Sequence, residues 1–489
     1  MRFHQLFKQA VKHQREKQIK KGNGPHLPWW QLSLIGIGSV IGAGYFLGTG
    51  LSIQLAGPSI LLGYLVAGIT AFFVFSALSE MTVNDPQSGS FRTYSKKAFG
   101  ANYGFVIGWM YWLSGLLIMS SEIVALSTFT QFWFPNAPLW SFTIIYSLLG
   151  FGINLMGVRN FGAIESMFAM IKLSTLLAFI VFGTLFLAGL IHPVNVSAIQ
   201  HTSFSQFFPL GIRGLWSALI FIFFSFGGIE VVGIASAELK NRHEIPKAGY
   251  GLVIALVSMY LLSLFFVLYL INWTRINTAT SPFVSALSAF RFPFIESFFN
   301  IIIISAAFST MVGALFSITQ ILVALADDGD APKMLKEKNK RGVATKSLLI
   351  TGIGLTVSIL FSFLLPNTLY EYVTTAAGVL LILNWVNILS CHIKLHPSYI
   401  NNEGTFKAFG YPYTSYLGII IIAITVSGAL LHPNERIGLF ISFGLLFVIF
   451  VCSKFISRKR ELPMYPLTRE GLIQEIAEEF PADKDDHKK

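Results

Sequence analysis

Two glycine-rich stretches carry the backbone groups of this chain best suited to chemistry. One reads Gly36-Ile37-Gly38-Ser39-Val40-Ile41-Gly42-Ala43-Gly44-Tyr45-Phe46-Leu47-Gly48, the other Phe223-Phe224-Ser225-Phe226-Gly227-Gly228-Ile229-Glu230. Both sit inside long apolar runs. Glycine accepts φ > 0 without steric cost, so glycine pairs near mid-run let a helix unwind. Unwinding frees N–H and C=O groups that lipid cannot satisfy, whereas a bound polar ligand can. Freed N–H groups carry positive partial charge and suit a carboxylate. Freed carbonyls suit an ammonium. Two such breaks facing each other can hold both ends of a zwitterion. For a single glycine cluster, close helix packing through small residues is the simpler reading. The paired occurrence favours a binding site.

A few charged side chains lie in the same apolar runs. Lys172 stands nine residues after Ala163. At about 1.5 Å per residue it is roughly 13 Å deep in a hydrocarbon core about 30 Å thick. Snorkelling relieves only part of the cost of that position. A desolvated lysine either changes protonation during a working cycle or acts as a fixed structural lock, and both readings stay open. Glu230 follows the second break directly. It can sense a proton or accept a hydrogen bond from the first run. Glu122 and Glu165 are read as structural pairs. Phe224 and Phe226 flank Ser225 at the second break and could cover a ligand there.

These groups must be positioned by membrane helices. Of 489 residues, 54% are hydrophobic and 12% charged, and the mean hydropathy is +0.64. A soluble domain has about 25% charged residues. Twelve spans are expected, at 30–55, 57–83, 101–133, 139–157, 163–191, 209–237, 249–272, 295–326, 346–365, 369–390, 412–431 and 436–456. The tails and every second loop hold thirty Lys and Arg, and the alternate loops hold three. That asymmetry predicts a multi-pass protein of the cell membrane with both termini cytoplasmic. It also accounts for the net charge of +11 without nucleic acid. The basic, polar first thirty residues do not resemble a cleavable signal peptide, so the first span is expected to act as the insertion signal. Residues 461–489 read as a mobile tail, with an amphipathic pattern at Leu472, Ile473 and Ile476. The two cysteines, Cys391 and Cys452, form no CxxC or Cys/His cluster, so neither a disulfide framework nor a metal site is expected.

Several motifs, in order, resemble the amino acid–polyamine–organocation superfamily, in its bacterial amino acid permease branch. Ile41-Gly42-Ala43-Gly44-Tyr45-Phe46-Leu47-Gly48-Thr49-Gly50 is similar to the first-span signature IGTGLFLGSG. Gly108-Trp109-Met110-Tyr111-Trp112 resembles GWxYW, and Glu122 followed by Trp133-Phe134-Pro135 fits the third-span pattern. Phe161-Gly162-Ala163-Ile164-Glu165 through Phe168-Ala169-Met170-Ile171-Lys172 resembles FGExEFWFAxIK. Ser225 to Glu230, Ala237-Glu238 and Ile245-Pro246-Lys247-Ala248 look like the sixth-span motif and its loop. Leu325-Ala326 and Gly329-Asp330-Ala331-Pro332-Lys333 resemble the end of the eighth span. Four positions depart from the pattern: Ala43, Tyr45, Ala163 and Gln320. The first two fall in the expected site, so the substrate of no single relative carries over.

The resemblance implies an all-α membrane protein with a LeuT-type 5+5 inverted repeat plus two C-terminal helices. The expected order is an N-terminal tail (1–29), a ten-helix core (30–390, repeats 30–191 and 209–390), a cytoplasmic linker (391–411), helices eleven and twelve (412–456) and a C-terminal tail (457–489). It also implies an amino acid substrate and, usually, proton coupling. In relatives, a lysine at the position of Lys172 stands where sodium-coupled carriers hold sodium. The substrate carboxylate is expected at the Gly42, Ala43 and Gly44 amides beside Ile41. Its ammonium is expected at carbonyls between Phe224 and Gly227, beside Gly228. Its side chain would face Ala43, Tyr45 and spans three, eight and ten. Lys172 and Glu230 are the expected proton-coupling residues. The leading reading is a proton-coupled symporter of neutral or apolar amino acids, without cofactor. An exchanger is the alternative, and a carrier-like nutrient sensor is a third. An enzyme or an ATP-driven pump is not expected, since there is no HExxH, GxSxG or P-loop. The oligomeric state is left open.

Overall fold

The computed structural model describes residues 28–87, 90–156, 161–191, 207–236, 239, 241–278, 280–290, 294–339, 342–364, 369–399 and 405–459. These form an all-α structure. The first expected span is three pieces: α1 (Trp29–Val40), α2 (Ala43–Phe46) and α3 (Gly48–Ala56). Then follow α4 (Ile60–Asn84), the short connecting helix α5 (Phe91–Phe99), α6 (Ala101–Gln131), α7 (Leu139–Met156) and α8 (Phe161–Leu187). The sixth is again divided, into α9 (Gly211–Phe224) and α10 (Val231–Ala235). The remainder are α11 (Ile245–Leu270), the connecting helix α12 (Pro282–Leu287), α13 (Ile295–Asp327), α14 (Thr345–Leu364), α15 (Leu369–Leu395), α16 (Tyr413–Gly428) and α17 (Pro433–Lys459).

Eight helical stretches among the described residues are long and apolar enough to cross a membrane, and α9, the Thr345–Val357 part of α14 and α16 are shorter apolar helices. Prolines mark several starts: Pro246 and Pro282 lie in the first turns of α11 and α12. There the missing N–H costs nothing. The long helices show almost no apolar-to-polar sidedness, as expected where protein covers one face and lipid the other.

The centre is built on α6. It packs against α13 and α15, while α4 packs on α11, α1 on α8 and α11, and α9 on α3 and α15. The last two helices lie on the outside, α16 against α15 and α9, and α17 against α15 and α6. Both divided spans therefore sit among intact helices, which is where irregular backbone survives in lipid.

One helix end differs from expectation. The tenth helix was expected to end at 390 and runs to Leu395, with one side of its end buried: His392 is fully enclosed and His396, just beyond, nearly so. The stretch between the second and third spans is partly buried too. Arg92 on α5 places Nη2 2.8 Å from both Asp328 and Asp330 at the end of α13, and its Nη1 donates to the Ala324 carbonyl. The side chains of Arg92 and Asp330 are 5% and 3% exposed, that of Asp328 40%. Arg92→Ala removes the guanidinium from a buried carboxylate and should cost about 3–5 kcal/mol. Asp328→Ala, at the wetter partner, should cost no more than about 1 kcal/mol. Thermal unfolding of the two variants in one detergent checks the order; equal midpoints would defeat it.

Residues 1–27 and 460–489 of the expected tails, with Leu472, Ile473 and Ile476, lie outside the described residues, as do the side chains of Ala163, Glu165, Ala237 and Glu238.

Candidate functional site

The first break falls at Ile41 and Gly42, both in extended conformation. Each exposed backbone end has a buried polar partner. On the α1 side, Lys172 Nζ donates to the Gly38 carbonyl at 2.6 Å and lies 2.8 Å from Thr310 Oγ1. Thr310 Oγ1 is in turn 3.1 Å from the Ile41 carbonyl. On the α2 side, the Ala43 N–H donates to both oxygens of Glu122, at 2.9 and 3.1 Å. Lys172 is 0% exposed and Glu122 2%. A cation thus meets the carbonyl end of the break and an anion its amide end, the sign arrangement backbone dipoles favour.

Gly42 is required here for space. Its φ of −146° is open to other residues, but a Cβ would stand 2.6 Å from Glu122 Oε1 and 2.9 Å from Thr310 Oγ1. The second break needs glycine for conformation instead. Gly228 has φ +105°, and a Cβ there would also meet the Ser39 carbonyl oxygen at 2.8 Å.

Ser225 to Glu230 form successive turns between α9 and α10. The breaks touch through side chains: Ser225 Oγ donates to the Gly44 carbonyl at 3.0 Å, and Ser39 Oγ to the Gly228 carbonyl at 3.2 Å. Glu230 is buried below the second break. Its oxygens face the Gly228 N–H at 3.3 Å, Tyr111 Oη at 3.4 Å and Trp385 Nε1 at 3.4 Å.

A small cavity of about 80 Å³ lies beside α1 and α10. It is walled by Ile35 and Ser39 of α1, Tyr111, Gly115 and Ile118 of α6, and Gly227, Gly228, Glu230 and Val231 around the second break. The α13 wall is Thr310, Gly313, Ala314, Ser317 and Ile318. Phe224 and Tyr370 pack on the first break from α9 and α15. Phe224 lies against Gly44, so close that a Cβ on Gly44 would be 2.9 Å from its ring, and Tyr370 Oη donates to the Ala43 carbonyl at 3.3 Å.

Of the residues singled out in the sequence, Gly227, Gly228 and Glu230 line this cavity. Ile41, Gly42, Ala43 and Gly44 form the first break, behind Thr310. Lys172 reaches that break from α8. Phe226 and Tyr45 are turned elsewhere. Tyr45 stacks on Tyr260 with centroids 3.8 Å apart, its hydroxyl 2.6 Å from Ser263 Oγ. Phe226 packs edge-on to the same Tyr260. Neither Tyr45 nor any residue of α15 lines the cavity.

Sequence reasoning missed two participants. Glu122 was read as a structural pair, and it is paired within the bundle, with the Ala43 N–H. Thr310 and Ser39 gave no signal, because a hydroxyl in a membrane helix normally bonds its own preceding turn.

The family model described as amino acid permease matches residues 31–466. The chain is 40% identical to the uncharacterized transporter YcgH of Bacillus subtilis (strain 168), over 91% of this chain and 98% of that one. It is 32% identical to the aromatic amino acid transport protein AroP of Escherichia coli (strain K12), over 88% of this chain and 93% of the relative. The AroP of Salmonella typhimurium (strain LT2) gives 33% over 88% and 93%.

Proposed function

This chain belongs to the amino acid permease family, and we propose that it is a secondary active carrier that takes up an amino acid together with protons by alternating access. The observation that carries the reading is the pair of breaks, held at the first by Lys172 and Glu122 and opening at the second into a cavity. Twelve spans in a 5+5 inverted repeat plus two, with both termini cytoplasmic, complete the proposal. In that orientation the cavity beside α1 and α10 faces the cytoplasm, while Phe224 and Tyr370 close the outer side.

The substrate is a large apolar or aromatic amino acid. The cavity walls are apolar apart from hydroxyls and Glu230. Proteins named for aromatic amino acid transport are among the relatives. The substrate carboxylate competes with Glu122 for the Ala43 amide. Protonation of Glu122 removes its charge and weakens its hold, so proton and substrate act on one contact. Lys172 holds the carbonyl side of that contact and feels the same change.

Proteoliposome flux tests this. A panel of labelled amino acids is presented with and without an imposed pH gradient, acid outside. The expected result is accumulation of phenylalanine, tyrosine or tryptophan above equilibrium, collapsing with a protonophore. Uptake that ignores the gradient but requires internal amino acid identifies an exchanger. Binding without flux identifies a sensor.

A further inference from the structure

Three side chains far apart in sequence converge where α4 ends. Glu80 of α4 and His396 are 316 positions apart, yet Glu80 Oε1 is 2.5 Å from His396 Nδ1. Glu80 Oε2 is 3.2 Å from His392 Nε2. One oxygen or ring nitrogen from each of the three lies within 4.8 Å of the others. All three residues are buried.

The surroundings hold each group in place. Ser415 Oγ is 2.9 Å from His392 Nδ1, and the Ala408 N–H donates to Glu80 Oε2 at 2.5 Å. The Tyr411 ring stacks on His396 with centroids 3.5 Å apart. His392 Nε2 is fully buried and, although near Glu80, makes no aligned hydrogen bond. If Nδ1–H donates to Ser415, the Nε2 lone pair points at a carboxylate oxygen. Two electron-rich atoms so placed are reconciled by a proton or by a metal ion between them.

We infer that Glu80, His392 and His396 form a binding site for one divalent transition-metal ion of the zinc class. Imidazole nitrogen with carboxylate oxygen is a donor set that suits zinc rather than magnesium or calcium. Bonds of about 2.1 Å put ligand atoms about 3.4 Å apart around a tetrahedral ion. The Glu80 contacts of 2.5 and 3.2 Å would lengthen toward that spacing, with a fourth position left for water. Ser415 supplies the outer hydrogen bond that metal-bound histidines characteristically make. His392 and His396 are four positions apart at the end of α15, so one helix end presents both. The expectation of no metal site rested on cysteine and histidine spacing alone and did not weigh this pair beside a distant glutamate. The bound ion staples the end of α4 to the end of α15 and to the segment that leads into α16.

The test uses the full chain, purified through a tag without histidine, stripped with a chelator and dialysed. Zinc chloride alone is titrated by calorimetry, and bound metal is counted after desalting. Wild type should retain one equivalent. His396→Gln and Glu80→Gln, which keep hydrogen-bonding side chains in place, should each bind at least ten-fold more weakly. His432→Gln, at the separate pair with Glu371, should match wild type. Cobalt titration of wild type gives an answer that needs no variant: the intense visible bands of a tetrahedral site are expected. A pale spectrum like that of the aqueous ion would overturn the inference, as would equal zinc binding by wild type and the His392→Gln/His396→Gln double variant. Either result leaves a proton-held clamp in this place.

Discussion

Lys172→Ala should abolish uptake driven by a pH gradient, lowering the initial rate by about 100-fold or more. Nζ is fully buried on the Gly38 carbonyl and Thr310 Oγ1. Removing one partner of a buried charge arrangement costs about 3–5 kcal/mol, which is about two to four decades in an equilibrium constant. The loss falls on the break itself, because the carbonyl end of α1 is left without its cation while Glu122 still holds Ala43. Exchange of internal for external substrate should survive in part, since backbone groups hold most of the zwitterion. Lys172→Arg separates the two roles a lysine can have here. If the group must release a proton, arginine fails as alanine does, because guanidinium stays charged. If it is a fixed lock, arginine keeps the charge and some driven transport. Rates for both variants, at matched amounts in proteoliposomes, decide the matter. Robust proton-driven accumulation by the alanine variant would end the assignment of coupling to Lys172.

Gly42→Val should remove substrate binding while the protein still inserts and elutes as a single species. The cause is steric. A Cβ alone would stand 2.6 Å from Glu122 Oε1 and 2.9 Å from Thr310 Oγ1. Valine adds two methyl groups with one strongly preferred rotamer, so Glu122 must leave Ala43 or Thr310 must leave Ile41. Either way the valine side chain fills the space in front of the Ala43 amide where the substrate carboxylate is proposed to bind. Affinity should fall by about 100-fold or more, read by labelled-substrate binding or by ligand-induced thermal shift. The backbone at Gly42 is not in the left-handed region, so the helix is not expected to break elsewhere. Binding by Gly42→Val within about three-fold of wild type would place the carboxylate site away from the first break.

Much of this was legible in the sequence. Apolar runs fixed where helices form, because a chain in lipid has to satisfy its backbone within each segment. Helices lie in all twelve expected intervals, and irregular turns fall at Ile41–Gly42 and Ser225–Glu230, within the two glycine stretches. At the second break the turn follows from a local property of glycine, the positive φ of Gly228, whereas at the first Gly42 leaves room for Glu122 and Thr310. Lys172 could be singled out by its depth alone. What sequence could not supply was direction. A helix presents all its sides to an alignment of letters, and only packing decides which one faces the cavity. Tyr45 stands beside Gly44 in the chain yet turns onto Tyr260, because its ring and hydroxyl find partners on α11. Glu122 is 79 positions from Ala43, and nothing within either segment specifies that contact. The Glu80, His392 and His396 cluster is the extreme case, since its members meet only when α4 and α15 lie side by side. Local backbone chemistry was therefore set by the sequence, while the pairing of buried charges was set by tertiary structure, because low dielectric makes each buried charge depend on whichever distant partner the packing brings to it.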